Sequence, residues 1–228
     1  MASRYASFTP STLKFLEQLA ENNEREWFKE NKSRYEQDVL DVALRFIASM
    51  QNPLENIAPH FTAIAERQGG SLMRIYRDTR FSKNKQPYKT NIGIQFRHEN
   101  AKDVHAPGYY LHIEPGSSFI GMGMWMPESS ALKAIRTRIV EKPTVWSDVL
   151  DSVKRPLSLG GTSLTRPPKG FSADDPYIDD LKRKSFILVR ELPPEQCLAP
   201  QFQRTVENTF RNGESLMRFL CDALRIPF

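Results

Sequence analysis

The amino-acid sequence predicts an α+β fold, a central antiparallel sheet packed with N-terminal and C-terminal helices. Two changes of hydrophobic period predict it. Apolar residues recur every three or four positions up to about residue 67, alternate with polar ones between residues 92 and 125, and return to helical spacing from residue 132. Composition agrees. The chain has 228 residues, 26% charged and 39% apolar, enough to bury a core without disulfides and too apolar for a disordered chain. One domain over residues 1–228 is expected.

Thr9-Pro10 opens the first helix, with the hydroxyl as N-cap and proline where a missing N–H costs nothing. Leu13, Phe15, Leu16, Leu19 and Ala20 give it a broad apolar face, and Asn22-Asn23 ends it. Asn23 with Glu26 has capping-box spacing and starts a longer helix on which Trp27, Asn31, Tyr35, Val39, Val42, Phe46 and Met50 recur. Trp27, Tyr35 and Phe46 are expected to pack against the core. A third helix is predicted from Pro53 toward Arg67, ended by Gly69-Gly70.

Residues 72–77 read as a strand, followed by an antiparallel meander marked by Ile92, Ile94 and Phe96, then Tyr109, Leu111 and Ile113, then residues 119–125. Glu114-Pro115-Gly116-Ser117-Ser118 is turn material. Helical spacing resumes at Leu132, Ile135 and Ile139, and again at Trp146, Val149, Leu150 and Val153. Residues 155–176 are a Pro/Gly-rich loop, and residues 185–189 one more short strand. Two helices close the chain, carrying Phe202, Val206 and Phe210, then Leu216, Phe219, Leu220 and Leu224.

No apolar run approaches the roughly 18 residues of a membrane span, and residues 1–6 lack the apolar stretch of a secretion signal. A cytoplasmic protein with no membrane partner is expected. Cys197 and Cys221 are not spaced as a redox or metal pair and are expected to be free thiols. Oligomeric state is not legible.

The net charge is +5, and residues 72–91 alone carry six cations against the single acid Asp78, so the rest of the chain is neutral. Arg74, Arg77, Arg80, Lys83, Lys85 and Lys89, with Tyr88 among them, are the candidate anion-binding residues. Arginine presents a planar fork to two phosphate or carboxylate oxygens, and lysine adds a mobile point charge. Turn-forming residues at 78–79 and 82–87 would bring at least three of these cations to one cleft, with residues 160–176 as a cover. The predicted partner is a phosphate- or carboxylate-bearing small molecule. Three alternatives stand beside it. The cations could pair with the fold's own carboxylates. Tyr76, Phe81 and Tyr88 admit nucleic acid, since rings beside cations stack on bases, although no helix-turn-helix, zinc-finger or RNP pattern accompanies them. A non-catalytic contact with an acidic protein is the last.

Tyr110, His112 and Glu114 stand opposite the Tyr109, Leu111, Ile113 stripe, with Gln95 and Arg97 on the same face of the neighbouring strand. That face has the residues of an acid–base pair but is expected to be the solvated outer face of the sheet. His98, His105 and His112, with Asp103 and Glu114, lack ligand spacing, so no metal site is read. Walker, dinucleotide, nucleophile-elbow and zinc-protease motifs are absent, and no cofactor or catalytic residue is identified. Gly121 and Gly123 lie within a strand, where glycine marks a bulge or a close backbone approach.

Several blocks together resemble a known family: Trp27-Phe28, Asn31-Lys32 and Tyr35, then Arg80-Phe81-Ser82-Lys83, Lys85 and Pro87-Tyr88-Lys89. Gly108-Tyr109-Tyr110, Gly123-Met124-Trp125-Met126-Pro127, Arg136 and Pro168-Lys169-Gly170-Phe171 extend the resemblance over almost the whole chain. The family is a widespread one of conserved hypothetical proteins, a domain of unknown function. The resemblance implies one domain and carries over no activity, cofactor or catalytic residue.

Overall fold

The computed structural model describes residues 6–100 and 106–228, so Asp103 and His105 lie outside the described residues. Helix α1 (Pro10–Glu21) starts as predicted. The Thr9 hydroxyl accepts from the Thr12 N–H, and the Thr12 hydroxyl accepts from the Thr9 N–H. Asn23 departs from expectation. It makes no cap, the next helix starting at Arg25 without a side-chain cap bond, and its amide turns inward onto the distant Tyr88 backbone.

The long helix is a chain of pieces: α2 (Arg25–Glu30), α3 (Lys32–Tyr35), a π-helical turn at Glu36–Leu40, and α4 (Asp41–Ser49). The break falls at Asn31, whose side-chain amide donates to the Trp27 carbonyl, the local competition that keeps asparagine out of helix interiors. The expected face survives it: Phe46 is fully buried, and Trp27 and Tyr35 pack half-buried on the core. Helix α5 (Gln51–Ile57) stops well short of Arg67. Pro59 drives the preceding residue out of the helical region, and Ala58 sits at φ −152° and ψ 86°. The chain then forms β1 (Phe61–Thr62) instead of continuing the helix.

The remaining strands are β2 (Ile92–His98), β3 (Gly108–Ile113), β4 (Phe119–Met124), β5 (Ser158–Gly160) and β6 (Phe186–Glu191). They form one antiparallel sheet in the order β1-β2-β3-β4-β6-β5. The β5 edge strand comes from within the Pro/Gly-rich segment that was expected to be loop. Residues 72–77 contribute bridges rather than a full strand, Leu72 beside Ile94 and Tyr76 beside Tyr88.

Helices α6 (Ser129–Glu141), α7 (Pro143–Ser152), α8 (Ile178–Leu181), α9 (Phe202–Asn212) and α10 (Glu214–Leu224) complete the fold. One sheet face, bearing Ile94, Phe96, Tyr109, Leu111, Ile120 and Leu188, is buried under helices from both ends of the chain. Phe210 of α9 lies 4.5 Å from the Tyr109 ring and 5.9 Å from Phe96. Burying each such side chain contributes roughly 1.5–3 kcal/mol, so this layer fixes the sheet and leaves the opposite face for other work.

Among the described residues no helix is long and apolar enough to cross a membrane. Cys197 and Cys221 are free and buried. Burial pushes their thiols up, to about 11 and about 12. Since the thiolate is the reactive form, neither cysteine should react with iodoacetamide at pH 8 until denaturant is added. Fast labelling of the native protein would contradict this.

Candidate functional site

Strand register lays out the open face of the sheet in three rows. Arg97, Gly108, Gly123, Ile187 and Gly160 form one row across successive strands, and Gln95, Tyr110, Gly121, Val189 and Ser158 the next. Gly93, His112, Phe119 and Glu191 form the third. Three adjacent positions in the middle, Gly108, Gly121 and Gly123, are therefore bare backbone. Tyr110, Phe119 and Gln95 rise on one side of this floor and Ile187 and Val189 on the other. The trough between them is a cavity of about 750 Å³, rimmed by Met73, the turn at 116–118, Trp125 and Gly161.

Gly123 and Gly121 are bare for different reasons. At Gly123, with φ +121°, an added Cβ would run into the Phe186 carbonyl oxygen of β6, so only glycine fits. The close backbone approach read from the sequence is present here. At Gly121 a Cβ would meet nothing nearer than 3.8 Å, so packing does not require glycine. Its bareness serves the trough.

The polar residues of this face are not a solvated surface, and that expectation is corrected. The Tyr110 hydroxyl lies 3.0 Å from His112 Nδ1, and Asn91 Nδ2 approaches the same nitrogen at 3.4 Å. His112 Nε2 then donates to Glu114 Oε2 at 3.2 Å, and Glu114 Oε1 accepts from the Thr90 hydroxyl at 2.9 Å. A carboxylate only accepts, so His112 carries a proton on Nε2, and with the Asn91 NH2 facing Nδ1 the Tyr110 hydroxyl donates to that nitrogen whenever the imidazole is neutral. Phe119 stacks on the imidazole at 4.7 Å, leaving the His112 side chain 16% exposed. Burial, with the negative charge of Glu114 adding to it, pushes the Tyr110 hydroxyl up to about 12.

The outer face buries because the chain on either side of it folds over. Met73 lies above Gly93, where a Cβ would come within 2.9 Å of the Tyr110 hydroxyl and 3.1 Å of the Met73 sulfur. Gln95 is only 7% exposed, and its Oε1 is buried with no hydrogen-bond partner among the described residues. An unpaired buried acceptor costs about 1–3 kcal/mol. Replacing His112 by alanine should therefore lower stability by about 1–2 kcal/mol, above the roughly 0.5 kcal/mol of a featureless surface site. Urea unfolding that shows a smaller change would restore the solvated-face reading.

The predicted anion-binding residues divide. Arg80 forms a 2.6 Å ion pair with Asp78, and its hydrogen bonds hold the Asp78 carboxyl below the usual range. Lys85 donates to the Thr79 carbonyl, and Lys83 points to solvent. The Tyr88 ring is buried and stacks on Phe28 at 4.1 Å, a packing role. Arg77 is half-buried, its backbone N–H donating to the Pro87 carbonyl. Lys89 differs from these. It is half-buried, and burial, with the Arg74 charge adding to it, draws its ammonium below the ordinary lysine range.

Arg74 and Lys89 do not line the trough, but each is a chain neighbour of residues that line or brace it. Arg74 follows Met73 of the rim, and Lys89 precedes Thr90 and Asn91, which bond Glu114 and His112. Sequence reasoning missed Thr90 and Asn91, although they follow directly on the Pro-Tyr-Lys block. Gly161 reaches the trough, whereas Lys169, Gly170 and Phe171 line a separate cleft against Lys133 and Thr137 of α6. Residues 160–176 therefore do not act as one cover. His98 is buried, its Nε2 on the Pro227 carbonyl at 2.8 Å, which is a structural role.

The family model described as conserved hypothetical protein (DUF2461) matches residues 11–219, and the chain belongs to that family. No curated protein and no solved structure matches it.

Proposed function

We propose that the protein binds a small ligand in the trough, with a phosphate or carboxylate of that ligand held at the Met73 end by Arg74 and Lys89. The observation that carries this reading is the open floor at Gly121, a position where the fold would accept a side chain. A floor of bare peptide between Tyr110, Phe119, Ile187 and Val189 suits a flat, largely apolar body. Two neighbouring cations, one of them half-buried, gain from an anion between them.

The test is a titration of inorganic phosphate, nucleoside monophosphates and aromatic carboxylates into wild type, Gly121→Leu, and an Arg74→Ala, Lys89→Ala double variant, followed by NMR. Binding to wild type should be lost in Gly121→Leu at unchanged melting temperature. It should weaken about tenfold to a hundredfold in the double variant, as expected for losing a charge-assisted bond. A ligand that binds Gly121→Leu as well as wild type is bound elsewhere, and the reading fails.

A second reading, binding of single-stranded nucleic acid, rests on Phe81. Its ring is 95% exposed at the tip of the basic segment, with the Arg80 guanidinium 5.8 Å from its centre and Lys83 and Lys85 nearby in sequence. Oligonucleotide binding that falls steeply with salt and is lost in Phe81→Ala but not in Gly121→Leu would favour it.

A further inference from the structure

We propose that Tyr110, His112 and Glu114 form a proton relay opening on the trough, so that the bound ligand is a weak carbon or oxygen acid that gives up a proton to Tyr110. This rests on the trough being the ligand site. Position and direction both point to a relay. Tyr110 is the member of the network that lines the cavity, His112 lies behind it under Phe119, and Glu114 lies at the more exposed end, its side chain 32% open. With the imidazole neutral both bonds run the same way, from Tyr110 to His112 Nδ1 across 3.0 Å and from His112 Nε2 to Glu114 across 3.2 Å.

The step balances without a co-reactant. The ligand's X–H proton passes to the Tyr110 oxygen while the Tyr110 proton passes to His112 Nδ1. The X–H electron pair stays on the ligand as a carbanion, an alkoxide or the bond that replaces them. His112 becomes an imidazolium whose Nε2–H still rests on Glu114, and the carboxylate compensates its charge. A neutral hydroxyl alone would be a poor base. The imidazole behind it makes proton removal concerted, and the carboxylate holds the imidazole in the one tautomer that can accept. Tyr110 is the catalytic residue, and His112 and Glu114 act through it.

Gly93 supports the arrangement from beneath. A side chain there would crowd the Tyr110 hydroxyl and Met73. Thr90 and Asn91 brace it from the strand edge, on Glu114 and His112.

The experiment uses 5-nitrobenzisoxazole, a flat carbon acid whose loss of a ring C–H proton breaks the N–O bond and releases a coloured phenolate. Binding is read from NMR shifts at Gly121 and Tyr110, and turnover from absorbance. The variants are Tyr110→Phe, which removes only the oxygen, His112→Gly and Gly121→Leu. Saturable turnover is expected in wild type, with kcat about 10²-fold lower in Tyr110→Phe at unchanged KM, the usual contribution of a positioned base. His112→Gly should lose as much and recover with added imidazole but not with the similarly sized, far less basic pyrazole. A purely structural histidine would show no such discrimination. Wild-type kcat in Tyr110→Phe, or rescue of His112→Gly by both additives alike, overturns the relay and leaves the trough standing. Absence of binding, or binding unchanged in Gly121→Leu, overturns the trough reading and the relay with it.

Discussion

Gly123→Ala should lower the stability of the protein by about 3–5 kcal/mol, whereas Gly121→Ala, two residues away on the same face, should leave it within about 0.5 kcal/mol of wild type. Gly123 has φ +121°, and its missing Cβ would strike the Phe186 carbonyl oxygen, with the Ile187 Cα at 2.9 Å behind it. Both are backbone atoms of β6, which pairs with β4 along six positions and cannot swing away alone. Alanine would therefore add backbone strain and also push β4 and β6 apart at the centre of the sheet. Gly121 faces only atoms at 3.8–3.9 Å. Urea unfolding of the two variants decides the matter. Equal midpoints would mean that β6 does not approach β4 as closely as described, and that the floor of the trough has a different shape.

The two glycines also show what was legible in the sequence and what was not. Period alone located β2, β3 and β4, because alternation such as Ile92, Ile94, Phe96 has few other physical solutions, and it missed the short edge strands β1 and β5, while the helices at both ends followed from their spacing. Where a single residue overrides the period, the reading failed. Pro59 ended a helix whose apolar pattern ran on, and Asn31 broke one that looked continuous. The candidate site was half visible. Gly121 and Gly123 stand out within a strand, and alternation puts Tyr110, His112 and Glu114 on one face, but it cannot say whether an outward face meets water or another stretch of the chain. That depended on Met73, the 116–118 turn and Gly161 folding over the sheet, contacts distant in sequence that leave no local pattern. Conversely the basic segment, conspicuous as a run of charge, is partly self-satisfied: Arg80 on Asp78 and Lys85 on the Thr79 carbonyl are bonds within the segment itself. A count of cations could not separate these from Arg74 and Lys89.

Asn23→Ala is expected to cost about 2–4 kcal/mol, although the residue lies far in sequence from every residue of the site. Asn23 is 8% exposed. Its Oδ1 accepts from the Tyr88 N–H at 3.0 Å and its Nδ2 donates to the Tyr88 carbonyl at 3.1 Å, so one side chain stands in for a neighbouring strand. Alanine leaves both backbone groups buried without a partner, each costing about 1–3 kcal/mol less whatever the loop recovers by shifting. Asn23→Asp keeps the acceptor but sets a second oxygen against the Tyr88 carbonyl, and it should lose nearly as much. The consequence reaches the trough, because Tyr88 is followed by Lys89, Thr90 and Asn91, the cation of the proposed anion pair and the two braces of Glu114 and His112. Phe28, stacked on Tyr88 at 4.1 Å, would still hold the ring but not the backbone register. Amide exchange at Tyr88 and Lys89 should therefore speed up in Asn23→Ala beyond the global loss of stability, and ligand binding should weaken with it. A variant with wild-type stability and wild-type exchange at these two amides would show that the segment is held by its aromatic packing alone.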